Sequence, residues 1–328
     1  TKIAKKILFI MGFRPNPLER EKNLKNIINN NLEISNCCLI CGDQGQEYFK
    51  KNFSEHEFKK FFTEFYGDTE YLILIDFLIN KEFIVLKCDN CNFIWQKFRP
   101  INEFANVLYD KIIDSNKSFE KSEQIFKNRK EKFKREFKFI FNYLDFKKIN
   151  VLDFGAGWGS WLKSINDSNI NSYALEISRT RKKYLSDNKI NVLDFNEISN
   201  YVNYFDFIRL EQVLEHLTDL GSSLELLKKI STKHSIINVS VPNGKMQISK
   251  NTNIKIEKGP IQPLEHINCF SNKSLKKLFS NYGFRPLNKI ELSKIYLNKS
   301  LRNNFNLKMY IKNLYENTFT TSIKFKLK

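Results

Sequence analysis

The sequence predicts an α/β fold, a Rossmann-like sheet of parallel strands and crossover helices, preceded by a small cysteine-bearing module. Three observations carry that prediction. The stretch NVLDFGAGWG (150–159) runs from apolar strand residues through Asp153 into Gly155, Gly157 and Gly159. After it, apolar runs alternate with amphipathic segments, as a parallel sheet with crossover helices requires. Before it stand two C-x-x-C pairs, Cys38/Cys41 and Cys88/Cys91.

The chain has 328 residues, enough for a large core, and two domains are expected. No apolar run reaches the length of a membrane span. The opening TKIAKKILFIMGFRPN has a basic edge and a short apolar stretch, but Arg14 and Pro15 interrupt it and no small-residue cleavage site follows. It is read as the start of an ordinary strand or helix, with no chemistry assigned to the residues up to about 35. The formal charge of +18 is compatible with an anionic partner, such as a nucleotide-linked substrate or an anionic membrane surface. The chain is also crowded with Asn, Ile and Phe, whose codons share the AT-richness of lysine's, so base composition accounts for much of the excess.

Five of the six cysteines fall into two clusters, which argues for a metal and for a reducing, cytoplasmic compartment rather than a disulfide framework. Each C-x-x-C suits a tight turn offering two thiolates to one ion. Two such turns make a closed four-sulfur zinc site, structural rather than catalytic, with Cys37 as an alternative ligand in the first cluster. The 46 residues between Cys41 and Cys88 must hold elements of their own. The aromatic segment Phe58 to Tyr66 and the apolar runs Tyr71 to Leu78 and Phe83 to Leu86 supply them. The module is assigned to residues 1–114.

From Asn116 to Lys148 the chain carries eleven Lys or Arg against five Asp or Glu. Phe126, Phe133, Phe137, Ile140, Phe141 and Leu144 recur through it at helical spacing, which predicts a long amphipathic helix linking the two parts, residues 115–148. Its charged side is read as a solvated face, with a place at the substrate entrance as the functional alternative.

The third part, residues 149–328, opens on the glycine-rich turn. Glycine there lets backbone approach a ligand closely. The spacing is D-x-G-x-G-x-G, not the G-x-G-x-x-G of dinucleotide sites, and an acid beside pyrophosphate would be out of place. It suits a ligand that carries an ammonium group and a sulfonium. SYALEIS (172–178) reads as a second buried strand ending at Glu176, where a carboxylate meets two ribose hydroxyls. KINVLDF (189–195) is predicted as the third strand, Phe205 to Leu210 as the fourth, and Ser235 to Val241 as the fifth, after a helix from Ser222 to Ile230. Gly244 to Pro263 is the lid candidate, and Ser271 to Asn281 a helix closed by Gly283. Two last strands are expected at Arg285 to Leu292 and Thr321 to Lys328, with LRNNFNLKMYIKNLYENTF between them as an inserted basic helix.

Residues from about 150 to 284 resemble a class I S-adenosylmethionine (SAM) dependent methyltransferase in VLDFGAGWG, ALEIS, FDFIRLEQVLEHLTD, IINVSVPNG and EHINCFSNKSLKKLFSNYGF, in the family's order. The resemblance implies a seven-stranded sheet, with Asp153, Gly155, Gly157, Gly159 and Glu176 around SAM. It implies Asp194 on the adenine amino group, Phe195 beside the same base and Glu211 at the rim where the methyl group lies. A four-cysteine module ahead of such a domain, with FIWQKFRP after it, is similar to sugar C-methyltransferases and related small-molecule enzymes. In that group the Glu265–His266 pair is implied to be catalytic, the histidine taking the proton, and His216 to hold its loop beside SAM. His56 and His234 are read as structural or exposed. The acceptor implied is a sugar, a nucleotide-linked sugar, or a glycan or secondary-metabolite precursor, with C-, O- and N-methylation open. Two other readings stand beside it: an RNA methyltransferase gripping nucleic acid with its basic surface, less favoured because no N-P-P-Y motif follows strand four, and a non-catalytic SAM-binding module.

Overall fold

The structure, a computed structural model, describes residues 32–78, 80–101, 115–144, 148–165, 168–245, 254–288 and 320–328, with 104, 105, 108, 113, 290 and 291. The expected element at Ile7 to Phe13, the inserted helix at 301–319 and residues 246–253 of the lid candidate lie outside the described residues.

The N-terminal part has two small antiparallel sheets and two helices. Strand β1 (Leu32–Ile34) pairs with β5 (Phe98–Pro100), while β2 (Gln46–Asn52), β3 (Glu82–Lys87) and β4 (Ile94–Gln96) form a meander. Between β2 and β3, helices α1 (His56–Tyr66) and α2 (Asp68–Leu78) fill the long cysteine spacer. Phe58, Phe61, Phe62 and Tyr66 recur at helical spacing on α1 and are all buried, packing with Phe53 and Phe83. Gly67 stops the helix with φ 107°, and its N–H caps the Thr63 carbonyl.

Helix α3 (Ser115–Leu144) follows, as its apolar stripe predicts. Phe133, Phe137, Ile140 and Leu144 bury that stripe against Ile149, Val151, Trp161 and Phe207, so the linking helix is part of the core beneath the large C-terminal sheet.

That sheet has seven strands: β6 (Ile149–Phe154), β7 (Ile170–Leu175), β8 (Asn191–Leu193), β9 (Phe205–Glu211), β10 (Ser231–Pro242), β12 (Phe284–Pro286) and β13 (Thr320–Leu327). Helices α4 (Arg179–Asp187), α5 (Leu220–Ile230) and α6 (Asn272–Asn281) connect them. The spatial order is β8-β7-β6-β9-β10-β13-β12; the first five are parallel and β13 runs antiparallel to both neighbours. Connections leave β6 toward β7 on one side and reach β9 on the other. The crevice at the carboxyl ends of these strands is the place where open α/β sheets bind ligands.

Two strands are shorter than the sequence suggests. β8 ends at Leu193 because the Asp194 carbonyl turns back to accept from Glu197 and Ile198. β12 ends at Pro286, although the Leu287 N–H adds one bond to Lys324. The two parts also share a sheet. Strand β11 (Asn268–Cys269), from the C-terminal half, adds antiparallel to β4, with Asn268 opposite Trp95. Arg99, fully buried, donates to the Asn268 side chain and to the carbonyls of Leu217 and Thr218, fastening the N-terminal part to the loop after β9.

Candidate active site

At the end of β6 the backbone turns through Gly155, Gly157 and Gly159 with φ of 76°, 57° and 70°. These left-handed conformations favour glycine. A Cβ on Gly155 would lie 2.8 Å from Val213 and one on Gly159 2.5 Å from Leu185, whereas one on Gly157 would meet nothing within 4 Å. The middle of the turn therefore borders open space. Glu176, just past β7, holds the turn in shape: one oxygen accepts from the Gly157 N–H at 2.8 Å, the other from Ile177 and Ser178 at 2.9 Å each.

The expected cofactor residues divide into two groups. Glu176, Asp194 and Phe195 lie beyond the carboxyl ends of β7 and β8, with Phe195 44% exposed and edge-on to Phe154. Asp194 pairs with Lys182 at 2.5 Å. Asp153 and Glu211 are instead bridged by Arg209, whose two terminal nitrogens lie 3.2 Å from Asp153 and 3.5 Å from Glu211. Asp153 is 2% exposed, and burial pushes its carboxyl up to about 6 against the pull of Arg209. Its charge is shared with Arg209 within the sheet, a contact that the D-x-G-x-G-x-G spacing alone does not show. α3 covers the turn from outside: Trp158 donates to Ser118 and Ser160 to the Ser122 carbonyl.

A second cluster gathers where the N-terminal part meets the rim. The Tyr66 hydroxyl, at the end of α1, donates to Glu265 at 2.7 Å. Burial raises the Glu265 carboxyl to about 6, with Tyr66 and the charge of Lys258 opposing the rise. His216 and His266 stack edge to face with ring centroids 4.7 Å apart. Since a carbonyl can only accept, each Nδ1 carries a proton, His216 donating to the Glu265 carbonyl at 3.0 Å and His266 to the Gly259 carbonyl at 2.5 Å. Burial lowers His266 to about 4 and His216 well below its ordinary value, so both rings are neutral near pH 7. Tyr66, Arg209 and Glu215 stand outside the sequence expectations. Glu215 is visible only as the neighbour of His216 in LEQVLEH, and nothing local marks Tyr66, whose partner lies 199 residues away.

Residues 125–289 match the family model for a methyltransferase domain. The chain belongs to the class I SAM-dependent methyltransferases. No curated protein matches the methyltransferase in sequence. Solved structures are similar over part of it. A SAM-dependent methyltransferase from Aquifex aeolicus is 16% identical, with 66% of this chain and all of that one covered and a TM-score of 0.42. One from Archaeoglobus fulgidus is 21% identical, covering 61% and 94%, with a TM-score of 0.38. The plantazolicin methyltransferase BamL is 12% identical, covering 64% and 90%, with a TM-score of 0.44.

The residues present fit SAM. The open face of Gly157, the buried carboxylate beside it and the exposed Phe195 ring offer room, a hydroxyl acceptor and an apolar face. The methyltransferase also carries a four-cysteine cluster that could bind a metal. Sγ separations are 3.5 Å for Cys38–Cys91, 3.3 Å for Cys41–Cys88 and 3.8 Å for Cys41–Cys91. A tetrahedron of sulfurs at ordinary zinc distances has edges of about 3.8 Å. Matching turns at Gly42 (φ 79°) and Asn92 (φ 58°) donate to the carbonyls of Cys38 and Cys88. Cys37 is exposed with its thiol toward Gln44, outside the cluster. Among the described residues no helix is long and apolar enough to cross a membrane.

Proposed function

We propose that this methyltransferase modifies a sugar, a nucleotide-linked sugar or a related glycan or secondary-metabolite precursor, and that Glu265 and His266 act at the reacting end. The observation that carries the reading is a cavity of about 660 Å³ between α1 and residues 254–258. Phe49, Phe61 and Phe65 give it aromatic walls, and charges of both signs line it, Lys51, Lys60, Lys255 and Lys258 with Glu57, Glu64 and Glu257, Lys51 being paired with Glu57. Aromatic faces beside hydrogen-bonding groups of both signs suit a polar, ring-bearing acceptor of the sugar or nucleotide-linked sugar kind. Lys258 links the cavity to the rim, standing 4.9 Å over the Phe65 ring and acting through its charge on Glu265.

SAM supplies a methyl carbon already activated on a sulfonium, so the chain's residues have to position the acceptor and receive its proton. Glu265 is the better proton acceptor of the pair, because burial brings it toward neutrality while it holds His266 low. Tyr66 fixes the Glu265 carboxylate, and the Gly259 carbonyl fixes the His266 ring. Asp153 and Glu211 act at one remove, through Arg209, by shaping the β6 and β9 ends. Zinc in the four-cysteine cluster would hold the N-terminal part that carries Tyr66.

Radiolabelled SAM assayed against a panel of nucleotide-linked sugars tests the reading. Transfer to one of them is expected. Glu265→Gln is expected to lower kcat about 10²- to 10⁴-fold, the range for a lost proton acceptor, while SAM affinity stays as in the wild type. Unchanged turnover in Glu265→Gln would remove the carboxylate from the chemistry.

A further inference from the structure

Glu215 is 0% exposed, and neither of its carboxylate oxygens has a hydrogen-bond partner among the described residues. Both protonation states are badly served. An anion there lacks donors, and a neutral acid lacks an acceptor for its O–H; an unsatisfied buried polar group of this kind is costly. One carboxylate oxygen of Glu215 and one ring nitrogen each from His216 and His266 lie within 4.8 Å of one another. With the Nδ1 protons committed to the carbonyls of Glu265 and Gly259, the basic lone pair of each ring is on Nε2. A backbone carbonyl on the far nitrogen is the usual support that orients a ligating imidazole.

We propose that Glu215, His216 and His266 hold a divalent cation at the acceptor rim. Two imidazoles and one carboxylate make a mixed nitrogen and oxygen donor set, unlike the four sulfurs of the N-terminal cluster, and three protein ligands leave coordination positions open. Positions left open in such a mixed donor set take oxygen ligands. The acceptor class that fits is one with two adjacent oxygens, a vicinal diol or a hydroxy-carbonyl, whose hydroxyl a bound cation makes more acidic. The cation site goes beyond the methyl-transfer reading and is tested without turnover.

Mn²⁺ is titrated into purified protein whose cysteine cluster is already filled with zinc, and free Mn²⁺ is followed by electron paramagnetic resonance. One Mn²⁺ per chain is expected to bind, with binding weakened at least tenfold in Glu215→Gln and again in His266→Ala. S-adenosylhomocysteine titrated into each sample reports whether the fold and cofactor site survive. Wild-type protein that binds S-adenosylhomocysteine but takes up no Mn²⁺ up to millimolar concentration overturns the cation site and leaves the methyl-transfer reading intact. Undiminished Mn²⁺ binding in both variants overturns the ligand assignment in the same way. Loss of S-adenosylhomocysteine binding by the wild type strikes at the methyl-transfer reading instead, whatever Mn²⁺ does.

Discussion

Cys88→Ser is expected to lower the thermal midpoint by about 10 °C or more and to empty the cysteine cluster of metal. The size follows from what a closed four-sulfur site contributes: structural zinc supplies roughly 10–16 kcal/mol of apparent binding free energy, all of it unavailable to the unfolded chain. Losing even a third of that moves the midpoint by about 10 °C, since 1 kcal/mol shifts a domain of this size by roughly 2–4 °C. The loss is not confined to the N-terminal part. Cys38, Ile40, Cys88 and Cys91 belong to one buried cluster with Phe93, Trp95, Phe270 and Leu275, and Asn281 donates to the Ile40 carbonyl at 2.6 Å. β11, which follows Glu265 and His266, pairs with β4 directly after the second cysteine turn. Loosening that turn therefore loosens the rim that carries Glu265 and His266. Differential scanning calorimetry with metal analysis checks this, and Cys37→Ser is the control, expected to change neither quantity because its thiol is exposed and outside the cluster. Wild-type protein without metal, or Cys88→Ser with an unmoved midpoint, would remove zinc from the account of the fold.

What could be read in the sequence was what local geometry dictates. Three glycines stand at alternate positions because the backbone there takes left-handed conformations at alternate residues, and that demand is written where it acts. The stripe on α3 and the two cysteine turns are legible for the same reason. Partners across the sheet were not legible. Asp153 stands out in the sequence by its place before the glycines, but its partner Arg209, 56 positions away on the adjacent strand, does not. Tyr66 reads as one more core aromatic on α1, since its spacing matches Phe58 and Phe62, yet its hydroxyl ends on Glu265. A strand of two residues, β11, has no periodicity to detect; only pairing with β4 makes it one, and that pairing joins the two parts of the chain. Patterns report which face of an element is apolar, not which distant side chain its polar tip meets.

Glu176→Ala is expected to weaken S-adenosylhomocysteine and SAM binding by at least 100-fold. Two effects add. A hydrogen bond to a charged group is worth about 1.5–3 kcal/mol, and a carboxylate at the end of β7 is proposed to accept from two ribose hydroxyls. The same carboxylate accepts from the N–H groups of Gly157, Ile177 and Ser178, so its removal also strips the glycine turn of the contact that sets its shape. Glu176→Gln is no gentler at one position. Its amide keeps an acceptor for Ile177 and Ser178 but turns an NH₂ toward the Gly157 N–H, donor against donor. Asp194→Ala makes the contrast, because its exposed carboxylate already shares its charge with Lys182 and its loss is expected to cost only a few-fold. Calorimetric titration gives the affinities. A thermal scan at saturating S-adenosylhomocysteine gives an independent reading, since a ligand at 100 times its Kd stabilises the native state by about 2.7 kcal/mol and that increment disappears when binding is lost. If folded Glu176→Ala keeps both its affinity and its ligand-induced shift, the carboxylate serves the turn alone, and the ribose must be held from the opposite side of the crevice.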